Sequence, residues 1–248
     1  MARYQVILAY DGSGFTGSQR QANSRTVQGE LENALRELGW SEKSVIMAGR
    51  TDTGVHATGQ VAAFDFEWAH ETEKLLKALN AKLPPDLAVK SLQPASAGFH
   101  PRFDAISRMY CYRLFCEPIR DPLRERYAWR IWPSLDGNAL KQNAGIFLGT
   151  HDFAAFGSPT TPKGTTVRTV TKTEWRKMPN GEWQFEVQAD AFLYRMVRRL
   201  VFVQASAAQG KCSLEKVRNA LKEQGKLSSG LAPAHGLTLV EVTYGSHD

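Results

Sequence analysis

Residues 44–66 read Ser44-Val45-Ile46-Met47-Ala48-Gly49-Arg50-Thr51-Asp52-Thr53-Gly54-Val55-His56-Ala57-Thr58-Gly59-Gln60-Val61-Ala62-Ala63-Phe64-Asp65-Phe66. The apolar runs at 44–48 and 61–66 read as strands, and the polar stretch between them reads as a turn. Two strands thus follow one another with no helix between them. That departs from the strict alternation of a doubly wound parallel sheet and points to an α+β fold. The turn also carries one carboxylate, Asp52, with Arg50 and His56 beside it and glycines at 49 and 54 that free the backbone to bend.

Outward from this segment the same mixture continues. Residues 3–10 form a short apolar strand pattern closed by the turn cluster Asp11-Gly12-Ser13-Gly14. Thr26 offers an N-cap to a helix carrying Val27, Leu31, Leu35 and Leu38 at helical spacing. A second helix is expected over 71–82, ended by Pro84-Pro85, and a strand over 87–92. A long aromatic strand is expected over 107–117, a charged proline-containing connector over 120–126, and a helix capped by Asp136 running to 148. Residues 151–165 read as a mobile loop rich in Gly, Pro, Ser and Thr. Asn180-Gly181 marks a hairpin between strands 167–178 and 183–189. Helices over 192–208 and 213–223 and a closing strand over 237–244 complete the chain. The pattern predicts two similar α+β halves, 1–105 and 106–248, each an antiparallel-rich sheet with helices on one face and an active-site cleft between them.

Bulk properties narrow the classes. The chain has 248 residues, 42% hydrophobic, enough to bury a substantial core. No apolar run approaches a membrane span, and the N-terminus enters strand-like sequence without a leader pattern. Cys111, Cys116 and Cys212 have no metal-like spacing. A reduced, cytoplasmic setting is the expectation. Net charge is +6, a balance common among nucleic-acid binders. The histidines lack the paired spacing of a metal site, and no phosphate loop, nucleophile elbow or dinucleotide fingerprint is present.

Three places carry residue types suited to chemistry. Asp52 is either a turn aspartate that caps its own backbone or the acid of a site escorted by Arg50 and His56. Tyr110 and Tyr112 lie two apart on a strand, in step with Arg108, as a base-stacking platform would. Met109 and Cys111 read as the buried face. Periodicity does not say which tyrosine faces a cleft, and aromatics in strands are mostly structural. Arg195, Arg198 and Arg199 read as a basic ridge on the first turns of the 192–208 helix, either a solvated face or a hold on a phosphate backbone.

The chain resembles the tRNA pseudouridine synthase A family along its whole length. The likeness is carried by Tyr10-Asp11-Gly12 with Phe15, Gly17, Gln19 and Gln21, by Thr26-Val27-Gln28 and Leu31-Glu32, and by Gly49 to Ala57 with Gln60. Phe99-His100 with Arg102, Tyr110, Tyr112, the run Gly149 to Phe153, Phe192-Leu193-Tyr194 with Met196-Val197-Arg198, and Ala232-Pro233 with Gly236-Leu237 extend it. Ser18 stands where the family usually has tryptophan, Thr53 and Pro101 where alanine is common, and Arg195 where another polar residue is usual. These departures bear on substrate preference more than on the reaction. The resemblance implies isomerisation of uridine to pseudouridine at positions 38, 39 and 40 of the tRNA anticodon stem-loop, with Asp52 as nucleophile or base. It implies Tyr110 stacking on the target base, Arg198 as the salt-bridge partner of Asp52, Arg50 holding the extruded nucleotide, and Leu237 as an apolar wall. It further implies a homodimer that binds tRNA, with Arg195 and Arg199 toward the RNA, and neither metal nor other cofactor. The rival reading is a non-catalytic RNA-binding protein on the same scaffold.

Overall fold

Alternation along β1 (Ala2–Tyr10) buries Tyr4, Val6, Leu8 and Tyr10 on one side, as the two-residue repeat of a strand requires. This is a computed structural model of the chain that describes residues 1–161, 164–223, 227 and 229–245. The chain divides into two compact units, Met1–Ile106 with Leu239–Asp248, and Ser107–Thr238.

In the first unit, Thr26 caps α1 (Val27–Glu37) through its hydroxyl, which accepts the Gly29 N–H at 3.2 Å. Val27, Leu31, Ala34 and Leu35 face the core. The strand expected at 44–48 is reduced to β2 (Ile46–Met47), whereas β3 (His56–Phe66) begins five residues before the expected 61. Only Thr58 and Asp65 of β3 escape full burial, so this strand is covered on both faces. Period-two reading looks for one wet face and so misses the start of such a strand. After α2 (Thr72–Lys82) comes β4 (Leu87–Ala95). The Asn80 amide joins the two: its Oδ1 accepts the Val89 N–H and its Nδ2 donates to the Val89 carbonyl, each at 2.9 Å. The sheet order is β4-β1-β3, with β1 antiparallel to both neighbours and β2 antiparallel to β3.

The second unit is built on β5 (Ala105–Cys116), which pairs in parallel with the short β6 (Trp129–Ile131). Asp136 caps α3 (Gly137–Ala144) by accepting the N–H groups of Asn138 and Ala139. This helix gives way to a 3-10 turn at Gly145–Phe147, where one run to 148 was expected. Next come β7 (Gly149–Asp152), β8 (Val167–Lys177) and β9 (Trp183–Ala189). Gly181, at φ +80°, turns the chain between β8 and β9 where Asn180-Gly181 predicted it. Within the 151–165 loop, Ser158 bridges to Tyr194, while residues 162 and 163 lie outside the described residues. The chain continues through α4 (Met196–Ala208), α5 (Leu214–Glu223) and β10 (Leu237–Tyr244). β10 neighbours β3. Within the second unit the strand path runs β5-β9-β8-β7, each adjacent pair antiparallel, with α3 packed on α4 and β8. Gln204 of α4, 1% exposed, accepts the Trp175 indole N–H at 2.8 Å, so the polar group buried under this sheet is paired. The fold is α+β. No helix among the described residues is long and apolar enough to cross a membrane.

Candidate active site

The loop between β2 and β3 is held at Gly49, Thr51, Asp52 and Val55. The buried Gln60 amide donates to the Gly49 carbonyl at 2.9 Å. Ser18, fully buried, grips Thr51 from two directions: its Oγ accepts the Thr51 N–H at 2.8 Å and its N–H donates to the Thr51 carbonyl at 3.1 Å. The Thr51 hydroxyl lies 2.9 Å from that of Tyr10, whose pKa burial pushes up to about 12, so Tyr10 stays a neutral partner. The Val55 N–H closes a turn onto the Asp52 carbonyl at 3.1 Å, with Gly54 at φ +78°. A side chain at Gly12 would run into the Val55 carbonyl, so only glycine allows this approach. Between these anchors Asp52 is half-buried and Arg50 exposed.

His56, read from the sequence as an escort of Asp52, is buried. It is 5% exposed at the start of β3, and its Nδ1 accepts the Gly12 N–H at 3.0 Å and lies 3.2 Å from Asp11 Oδ1. Its work is to lock the Asp11–Gly14 turn against the Asp52 loop. Glu32, fully buried on α1, secures the other approach. It accepts the Val45 N–H at 3.0 Å and the Gln28 amide at 2.9 Å, and pairs with Arg20 at 2.6 Å and Arg36 at 3.3 Å.

Neither Ser18 nor Glu32 stands out in the sequence as a site residue. A serine in a loop and a glutamate on an amphipathic helix both look like solvated positions. The one available signal for Ser18 was that it replaces a tryptophan usual in the resembling family. Ser18→Ala leaves the buried Thr51 N–H without its acceptor and is expected to cost ~1–3 kcal/mol of stability. The reading is a lower urea midpoint at unchanged m, and a midpoint equal to wild type would show that Ser18 does not hold the loop.

In the second unit burial separates the two tyrosines of β5. Tyr112 is fully buried and donates its hydroxyl to the Pro233 carbonyl at 2.9 Å, and burial raises its pKa well above the usual phenol value. Tyr110 is half-buried, edge-on to Phe192 at 5.1 Å. The core side of β5 is marked by Tyr112 and Leu114, while Met109 and Cys111, expected inside, are half-buried. Burial lifts the Cys111 thiol to about 11 and raises that of Cys116, so neither is a thiolate near neutral pH.

The helix expected from residue 192 starts at Met196. Arg195 has φ +62°, a left-handed conformation that no α-helix continues, and Tyr194 donates its N–H to the Ser158 carbonyl at 2.9 Å. Arg195 therefore precedes the helix, with its guanidinium 4.8 Å over the Tyr194 ring. Arg198 Nε donates to the Ala232 carbonyl at 2.8 Å and Arg199 to that of Gly230 at 2.7 Å. These bonds place the 3-10 turn Ala234–Gly236 and the buried Leu237 after it. Within that turn, burial lowers the His235 pKa, opposed by Glu125 and reinforced more weakly by Arg198, which favours the neutral imidazole at pH 7. Among the described residues no group of three or more His, Cys, Asp or Glu could hold a metal ion.

A family model described as tRNA pseudouridine synthase matches residues 6–104 and 144–245, and the chain belongs to that family, isomerases that convert uridine to pseudouridine. Among its relatives is tRNA pseudouridine synthase A of Chloroflexus aurantiacus, 39% identical, the match covering 98% of this chain and 89% of the relative. The enzyme of the same name from Bacillus subtilis is 38% identical over 98% of this chain and 99% of its own. Protochlamydia amoebophila has a tRNA pseudouridine synthase A 1 that is 36% identical over 97% and 96%.

Proposed function

We propose that this enzyme acts on uridines 38, 39 and 40 of the tRNA anticodon stem-loop, with Asp52 as the reacting carboxylate. The reaction breaks the bond from sugar C1′ to base N1, turns the base, and joins C1′ to C5. The C5 hydrogen leaves as a proton and N1 gains one, so nothing is oxidised or reduced. Asp52 begins this by attacking the sugar, adding to the pyrimidine ring, or taking a proton from the sugar.

The observation that carries the assignment is the holding of the Asp52 loop. Its neighbours Gly49, Thr51 and Val55 are tied by Gln60, Ser18, Tyr10 and a closed turn, while Asp52 itself keeps partial exposure. A carboxylate fixed before substrate arrives needs no ordering at the moment of reaction. Tyr110, the more accessible of the two β5 tyrosines, stacks on the target base. Arg198 is the salt-bridge partner of the catalytic carboxylate, Leu237 supplies an apolar wall, and Arg50 holds the nucleotide once it is drawn from the stack. Arg195 and Arg199 face phosphates, which position RNA without reading its sequence. The enzyme works in the cytoplasm as a homodimer.

Tritium release from anticodon stem-loops labelled at uridine C5, each with a single uridine at 38, 39 or 40, tests the substrate. Release is expected from all three and not from a loop whose one uridine lies elsewhere. Release only from that last substrate would overturn the placement.

A further inference from the structure

Phe103 is an exposed aromatic that the first unit holds in a fixed pose. The side chain is 75% exposed, yet its ring stacks on the His100 imidazole at 4.2 Å between centroids and 29° between planes. The backbone beneath is pinned. His100 Nδ1 accepts the N–H groups of Arg102 at 3.2 Å and Phe103 at 3.3 Å. The His100 N–H donates to Asp104 Oδ2 at 2.7 Å, and the Asp104 N–H returns to the His100 carbonyl at 3.1 Å. The Tyr244 hydroxyl donates to the Pro101 carbonyl at 2.7 Å, and its ring lies against buried Phe99 at 5.1 Å.

Single exposed apolar side chains are ordinary and need no function. Leu123 at 84% and Ile119 at 79% exposed are of that kind. Phe103 differs because one ring face is already covered by an aromatic partner while the residue as a whole stays largely in water. The guanidinium of the exposed Arg102 lies 5.8 Å from the ring centroid. A protein partner wants an apolar area with its charges at the rim. One prestacked ring beside a cation suits an unpaired nucleobase and its phosphate.

We propose that the His100–Phe103 pair is a stacking platform for an unpaired base of the bound tRNA, apart from the uridine that reacts. This rests on the tRNA-modifying reading above. The platform is rigid before binding, so stacking on it costs little ordering.

The test measures binding of fluorescein-labelled tRNA to wild type, Phe103→Ala, Phe103→Leu and Phe103→Trp over a salt series, with sedimentation of each protein alone. Loss of one base–aromatic stack is expected to weaken binding ~5- to 150-fold. Ala and Leu both lose it, Trp retains wild-type affinity, and the salt slope is unchanged because no phosphate contact is removed. Wild-type affinity in the Ala variant, or full affinity in the Leu variant, overturns the platform. So does an affinity loss that tracks a change in sedimenting mass, which would place Phe103 in a contact between copies of the chain. Tritium release by wild type, run alongside, reports the tRNA-modifying reading separately: it persists if only the platform is wrong, and disappears if the reading itself is wrong.

Discussion

Asp52→Asn is expected to reduce pseudouridine formation by ~10²–10⁴-fold or more, the range typical for loss of a positioned acid or base, while tRNA affinity changes less than about twofold. Asparagine matches aspartate in shape but is neither a nucleophile nor a base at neutral pH. The ties at Gly49, Thr51 and Val55 run through Gln60, Ser18, Tyr10 and backbone groups, and each persists in the variant. Ground-state binding is therefore retained while the chemical step is lost. Single-turnover tritium release with enzyme in excess, paired with a gel-shift titration, separates the two quantities. A variant that makes pseudouridine at the wild-type rate would move the reacting group elsewhere. Loss of binding in step with activity would make Asp52 a recognition residue.

Glu32→Ala is expected to destabilise the first unit by ~1–3 kcal/mol, the usual cost of leaving buried polar groups without their partner. The carboxylate is fully buried and serves the Val45 N–H, the Gln28 amide, and the guanidinium groups of Arg20 and Arg36. Its removal strands the buried Val45 N–H and the Gln28 amide, while Arg20 and Arg36, each nearly half exposed, can turn to solvent. Domains have only ~5–15 kcal/mol of stability in total, so a marked fall in melting temperature should follow. Glu32→Gln keeps a carbonyl acceptor and should lose less. Equal melting temperatures for wild type and Glu32→Ala would show that the cluster contributes nothing net. The consequence reaches the site, because Val45 begins the segment that delivers the Asp52 loop.

Much of the fold was legible because its signals are local. Thr26 and Asp136 cap their helices where the sequence placed them, since a cap needs only a short polar side chain and the next few N–H groups. Asn180-Gly181 turned β8 into β9 because positive φ at glycine is a property of one residue. The first turns of the helix expected from residue 192 were wrong because Arg195 adopts a left-handed conformation, which no propensity assigns to arginine. Short β6, three residues paired in parallel with the strand just before it, is too brief for periodicity to show.

At the candidate site, residue types pointed to Asp52 with Arg50, to the Tyr110 and Tyr112 pair and to the basic ridge, and the family resemblance singled out Tyr110 and Arg198. What became of their neighbours was not legible there. His56 reads as a site histidine and is a buried anchor; Ser18 reads as a loop serine and is the clamp on Thr51; Tyr110 and Tyr112 are equivalent by periodicity and differ by burial. The sequence by itself determined which chemical groups are present and which short segments coil or extend, since both depend on interactions within a few residues. Only the tertiary structure decided which of those groups are spent on holding the backbone and which keep access to solvent. That division depends on contacts between segments far apart in the chain, such as residue 18 with 51 and 12 with 56.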